Sequence, residues 1–320
     1  MTPKQEMICR QLVLRAVVWD AEDLDKNERK KLEEEIQAFR IRRIQVKRRQ
    51  NAAQQPHSVY NGIQKALRKA GISEKTALLV TGDAALAQYV YDCGNKKDSD
   101  GNSRRRQNAG MGVVFYEKSG SRAAAAADMV VLGFEEIGVQ FLDRVQKRRN
   151  RLPWIILYTK RTYVREITVQ DLDALYALYE GEGITDYTEP LFEREKEESY
   201  TESYIDHRYY YYGYGMWVVC GRKTGALIGR AGIEHREVEG EVCMELGYVI
   251  GTAYQRQGYA SEVCASIVAY AKEELEIEQL HCFIHPNNKG SLRVAQKLGF
   301  TQCQSKEHRQ GELWHFSMEL

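Results

Sequence analysis

Between residues 245 and 275 the chain reads "ELGYVIGTAYQRQGYASEVCASIVAYAKEEL". A run of strand-forming residues gives way to a helical pattern, and the joint is Gln255-Arg256-Gln257-Gly258-Tyr259-Ala260. Small residues at 258 and 260 let backbone approach a ligand closely, and the first N–H groups of a helix have no intrahelical partner. Amides of that kind at the positive end of a helix dipole suit a diphosphate, and Arg256 adds charge at the rim. Taken alone, the same turn serves equally well as an ordinary strand-to-helix connector. Further on, "PNNKGSLRVAQKLGF" opens a second helix with Asn288 and Ser291 and closes it with Gly299-Phe300. The most aromatic stretch, "YYYYGYGMW" over residues 209–217, reads in two ways. Tyr212, Tyr214 and Trp217 form a wall against an amine, or they pack between helix and sheet. Glu189, Glu193, Glu195, Glu197, Glu198 and Glu202 read as a solvated helix face whose field favours a cationic partner.

Positioning these groups requires a sheet. Strands "GMWVVCG", "GALIGRAGIEHRE" and "EVCMELGYVI" follow one another in hairpin fashion, and a helix over 261–275 crosses to strand "QLHCFIHP". Helix "SLRVAQKLG" and strand "ELWHFSMEL" end the chain. Upstream, "VQDLDALYALYEGEG" predicts a helix with Thr168 as N-cap and Leu172, Leu175 and Leu178 on its apolar face. The second half is thus α+β with a mostly antiparallel central sheet. In the first half, strands "LVLRAVVWD", "TALLVTGD", "GMGVVFYE" and "DMVVLG" alternate with helices, which predicts an α/β, Rossmann-like parallel sheet. Pro153 stops the helix before it, so the reading is one domain over 1–150, a connector over 151–162 and a second domain over 163–320.

A chain of 320 residues fits two domains, each able to bury a core. With no apolar run of bilayer length and no signal-peptide pattern, it reads as a cytoplasmic protein that addresses no membrane. The 7 cysteines are odd in number and never spaced as CxxC, against a disulfide framework or a zinc site, and no metal site is read. Residues 1–150 carry 28 Lys+Arg against 19 Asp+Glu, and residues 151–320 carry 18 against 26. Halves of opposite sign meet different partners, or each other. The basic clusters Arg40, Arg42, Arg43, Lys47, Arg48, Arg49 and Arg144, Lys147, Arg148, Arg149 lack aromatic interleaving. They read as solvated helix faces, so nucleic acid is not the favoured partner.

The turn Gln255-x-x-Gly258-x-Ala260 after a strand, then Asn288-x-x-Ser291 and Lys297-Leu298-Gly299-Phe300, resembles the GNAT acyl-CoA N-acyltransferase superfamily, in particular its RimJ/RimL-like branch. The likeness runs from Tyr163 to the C-terminus. It implies a GNAT fold and acetyl-CoA as co-substrate, its diphosphate on the amides of residues 257–260. The pantetheine arm would pair with backbone at Val249 and Ile250 like an added strand, and Asn288 would bond it near the cysteamine end. The acceptor implied is a primary amine, on a small molecule or a protein N-terminus, and a homodimer stays open. Glu245, beside the arm, is the first candidate for the base, Glu234 on the preceding strand the second, and the bland alternative for Glu245 is a bond to neighbouring backbone or to an Arg side chain. Ser291 resembles the position that protonates the departing sulfur, or it caps its helix. The tyrosine that many members carry further along that helix is replaced by Ala295. Against direct transfer stands a sensor that binds acyl-CoA without turnover.

The first half is loosely similar to HAD-type hydrolases, with Asp20 in the nucleophile position and Asp83 after Gly82. Glu22 stands where that family has its second aspartate, Ala87 stands at the second metal carboxylate, and no lysine matches near Pro56. The resemblance therefore implies a Rossmannoid remnant serving as scaffold or binding module, with a working phosphatase as its alternative.

Overall fold

The computed structural model describes residues 11–20, 26–46, 55–95, 110–117, 126–238, 240–303 and 313–320. Cys9, Glu22, Lys47, Arg48 and Arg49 lie outside them. The chain divides into two compact units, residues 1–152 and 153–320.

In the first unit, β1 (Ala16–Asp20), β2 (Arg42–Gln45), β3 (Ala77–Thr81), β4 (Gly112–Tyr116) and β5 (Met129–Val131) form an all-parallel sheet in the order β2-β1-β3-β4-β5. Every residue of β1 and β3 is buried, as expected of a sheet covered by helices on both faces. The covering helices are α1 (Lys26–Ala38), α2 (Pro56–Ala70), α3 (Ala84–Cys93) and α4 (Val139–Arg149). The first unit is thus the α/β parallel sheet expected from the strand–helix alternation. Strand order reverses between β1 and β3, whose C-terminal ends carry Asp20 and Thr81. Asp20 Oδ2 accepts a hydrogen bond from Thr81 Oγ1 at 2.8 Å, and Asp83 caps α3 by accepting from Leu86 N at 3.0 Å. Ala87 is core. The basic clusters are not simply solvated helix faces: Arg42 and Arg43 lie on β2, where Arg43 pairs with Glu33, and the side chains of Lys147 and Arg149 are buried in ion pairs with Asp143 and Asp128.

The second unit is built on eight strands: β6 (Ile155–Tyr158), β7 (Thr162–Arg165), β8 (Met216–Gly221), β9 (Leu227–Val238), β10 (Glu241–Ile250), β11 (Gln279–Ile284), β12 (Thr301–Gln302) and β13 (Trp314–Glu319). They run in the order β12-β13-β11-β10-β9-β8-β7-β6, antiparallel throughout except for β10 beside β11. The stretch read as a connector, 151–162, contributes the edge strand β6, because "IILY" is a β-branched apolar run that finds a partner in β7.

The helices are α5 (Leu172–Tyr179), α6 (Arg194–Tyr204), α7 (Tyr259–Glu273) and α8 (Lys289–Leu298). Thr168 heads the first of them, its backbone N–H donating to Asp171 Oδ2 at 2.7 Å. A π turn, Ile205–Tyr209, and a last turn, Tyr210–Tyr212, extend α6. Helix α7 is the crossover that makes β10 and β11 parallel.

Residues directly opposite across β9 and β10 share a face. One face therefore carries Glu245 with Glu234, Cys243 with Arg236, Gly247 with Gly232, and Val249 with Arg230. The other carries Leu246, Tyr248, Ile233 and Ala231. Trp217 of β8 lies opposite Ala231 on that second face, its ring 5.8 Å from Tyr270 of α7.

Candidate active site

The turn before α7 is held in a conformation that its residue types permit. Gly258 has φ +81°, the left-handed region where a side chain is strained, and Arg256 also sits there at φ +57°. Gln255 Nε2 donates to Ile250 O at 3.0 Å, and Gln257 Nε2 donates to Ala253 O at 2.8 Å. These two side chains stiffen the turn, and the carbonyl of Ile250 is one that an incoming arm would have to share. Tyr259 and Ala260 begin the helix.

Arg161 fixes the turn from a hundred residues away, and nothing in the local sequence signals it. Its Nε donates to Glu262 Oε2 at 2.6 Å, its Nη1 to Gln257 O at 3.0 Å, and its guanidinium lies 4.0 Å from the Tyr259 ring centroid. Burial pushes the Glu262 carboxyl up, but hydrogen bonds from Thr159 and Arg161 outweigh it and hold the group below its ordinary value. Arg161→Met is expected to cost about 1 kcal/mol in urea unfolding, the sum of a half-exposed ion pair and a cation–π contact.

Beside this turn the sheet is split. Strands β10 and β11 register at one pair only, Glu245 with His281, after which β10 continues along β9 to Ile250 and β11 along β13 to Ile284. Val249 and Ile250 thus lie on the β10 side of the split, as the backbone of an added strand would require.

Both candidate carboxylates lie on one face, opposite each other, and each has a partner. Arg236 Nη1 donates to the two oxygens of Glu245 at 3.0 and 3.1 Å, with its guanidinium 4.2 Å over the Phe283 ring. Glu234 Oε1 accepts from the Tyr204 hydroxyl at 2.6 Å, and that hydroxyl in turn accepts from Met216 N at 2.7 Å. Burial raises the Glu245 pKa, Arg236 opposes the rise, and Glu234 reinforces it. Arg236 and Tyr204 escaped the sequence reading, although hairpin register places Arg236 beside Glu245.

On the other face, Asn288 caps α8 by accepting from Ser291 N at 3.0 Å, which leaves its Nδ2 donor for a ligand. Ser291 Oγ lies 3.1 Å from the Tyr248 hydroxyl, a partner the sequence did not suggest. Burial pushes the Tyr248 phenol well above its ordinary value, so it stays protonated. Ala295 is buried under the helix.

The aromatic stretch divides. Trp217 is 0% exposed and belongs to the core with Val263, Cys264 and Ile267, so it cannot be a substrate wall. It sits mid-strand facing α7, where a large apolar ring fills the layer between sheet and helix. Tyr214 places its hydroxyl 2.7 Å from His235 Nε2, and Tyr212 packs edge-on against the same ring at 4.6 Å. His235 alternates with Glu234 along β9, so this aromatic group and the carboxylate pair lie on opposite sides of the strand. On the carboxylate side Tyr204 bonds Glu234, while Tyr209 bonds Met216 O.

Residues 161–301 match the family model of the acetyltransferase (GNAT) domain. The uncharacterized N-acetyltransferase YoaA of Bacillus subtilis is 30% identical over 148 residues, covering 45% of this chain and 82% of YoaA. YkkB of the same organism is 33% identical over 88 residues, 28% of this chain and 51% of YkkB, so the chain spans about half of that relative. The crystal structure of the ribosomal-protein-S5-alanine acetyltransferase from Vibrio fischeri aligns over 51% of this chain and 95% of its own, with 13% identity and a TM-score of 0.43.

Proposed function

Since the chain belongs to the GNAT acetyltransferase family, we propose that its second unit transfers an acetyl group from acetyl-CoA directly to a primary amine within a ternary complex. The observation that carries this reading is the meeting of two features. A stiffened turn presents the N-terminal amides of α7, and the sheet splits between β10 and β11 next to it. The turn amides of Gln257, Gly258, Tyr259 and Ala260 would take the diphosphate, with Arg256 at the rim. Val249, Ile250 and Asn288 would take the pantetheine arm.

Bound acetyl-CoA supplies an activated acyl thioester. The chain's own contribution is to hold the amine in line and to move protons. Glu245 accepts a proton as the amine nitrogen bonds to the acyl carbon, and the thiolate released when the carbon–sulfur bond breaks is protonated from the Ser291 side or from solvent. Burial suits Glu245 to this task, because a carboxyl raised from its ordinary value is a stronger base once ionised. Glu234, facing it, keeps its pKa up.

Calorimetric titration with acetyl-CoA, followed by thiol release with polyamines, aminoglycosides, amino acids and short peptides, tests the proposal. Binding with release for one amine class is the expected result. The acyl-CoA sensor reading draws on Arg236, which occupies both oxygens of Glu245. Binding without release across the whole panel would establish it, and no binding would reduce the turn to a connector.

A further inference from the structure

Arg230 differs from four other arginines of the second unit. Arg161, Arg165, Arg194 and Arg236 each pair with a carboxylate: Glu262, Asp171, Asp173 with Glu198, and Glu245. Among the described residues no carboxylate pairs with Arg230. Among the same residues its Nε is buried without a hydrogen-bond partner, and its one polar contact is a long one, 3.5 Å from Nη1 to the Tyr179 hydroxyl. Leaving a desolvated guanidinium without a counter-ion is costly, and its planar fork of donors matches a carboxylate.

Its placement relates it to the chemistry. Arg230 lies opposite Val249 on the face that carries Glu234 and Glu245, four residues before Glu234 on the same strand. That is about 13 Å along the strand, with both side chains on the same face. Tyr200 of α6, 45% exposed, interacts electrostatically with both Arg230 and Glu234, and Tyr179 of α5 touches the guanidinium. Glu234 accepts from the Tyr204 hydroxyl and Glu245 pairs with Arg236, and neither forms an ion pair with Arg230.

We infer that Arg230 binds a carboxylate on the acceptor, and that the acceptor is a small zwitterionic amine of the amino-acid class. Its amine goes to the carboxylate pair and its carboxylate to Arg230. The inference rests on the acetyltransferase reading and narrows its substrate.

The test compares L-amino acids with their own α-carboxamides in the thiol-release assay, using the full chain. The wild type is expected to favour the acid by at least tenfold in kcat/KM, mainly through KM, since a charged hydrogen bond is worth roughly that much. Arg230→Met is expected to lower kcat/KM for the acid about a hundredfold and leave the amide unchanged, with Arg230→Lys between the two. Acetyl-CoA affinity and the thermal melt of both variants should match the wild type, which separates recognition from folding. Equal rates for acid and amide in the wild type need no variant and would overturn the inference. So would transfer confined to polyamines or peptides, or a loss in Arg230→Met shared by acid and amide. Failure of acetyl-CoA to bind at all is distinguishable from these outcomes, and it retires the acetyltransferase reading together with the inference.

Discussion

Gly258→Glu is expected to weaken acetyl-CoA binding more than a hundredfold, to below detection in a calorimetric titration, while the protein stays folded. Two costs combine. Any side chain at φ +81° pays the left-handed penalty of about 1–2 kcal/mol. The larger effect is electrostatic. A carboxylate placed one residue before α7 sits at the positive end of the helix. It is also close to Arg161, whose Nη2 lies 3.7 Å from where the new Cβ would be. The glutamate would therefore occupy the anion position itself and repel a diphosphate. Gly258→Ala separates the two costs, because it shares the strained φ and adds neither bulk nor charge. Tenfold weaker binding or less is expected from it. Unchanged affinity in a folded Gly258→Glu protein would place the coenzyme elsewhere.

What was legible in the chain was what depends on near neighbours. Thr168 caps the turn that opens its helix as the sequence suggests, the α7 turn begins where Gly258 stands, and the hairpins of β8, β9 and β10 follow from alternation and turn residues. Residues fixed by contacts between distant segments were not legible. Arg161 reaches Gln257 and Glu262 across the sheet edge, and Tyr204 reaches Glu234 from α6. Trp217 shows the same limit from the other side. Its type suits both a binding wall and a core, and only the sidedness of β8 assigns it to the core. The edge strand β6 falls in the stretch read as connector because Pro153 ends the helix before it, and its partner β7 is what makes it a strand. In the first unit, the parallel sheet was legible from strand–helix alternation. Asp83, which matches the HAD pattern after Gly82, caps α3 in the structure.

Glu245→Gln is expected to lower kcat by roughly 10²- to 10⁴-fold, the usual contribution of a positioned general base, and to leave acetyl-CoA affinity within a few-fold of wild type. Glutamine keeps the shape of the side chain and one oxygen to accept from Arg236, so the strand and its ion-pair neighbour stay in place. The pH profile separates base from anchor. A base works ionised, and burial raises the Glu245 pKa, so the wild-type rate should climb with pH through a value above the ordinary carboxylate range. That acid limb should vanish in Glu245→Gln. Arg236 opposes the rise, so Arg236→Met should move the same limb to higher pH while the limiting rate at alkaline pH is largely kept. An anchor behaves differently: both variants would lose stability and activity together, with no displacement of the limb. If Glu245→Gln keeps full activity, the proton must leave through Glu234 or water. Glu234→Gln is then the decisive variant, because Glu234 faces Glu245 across the strands and already holds the Tyr204 hydroxyl at 2.6 Å.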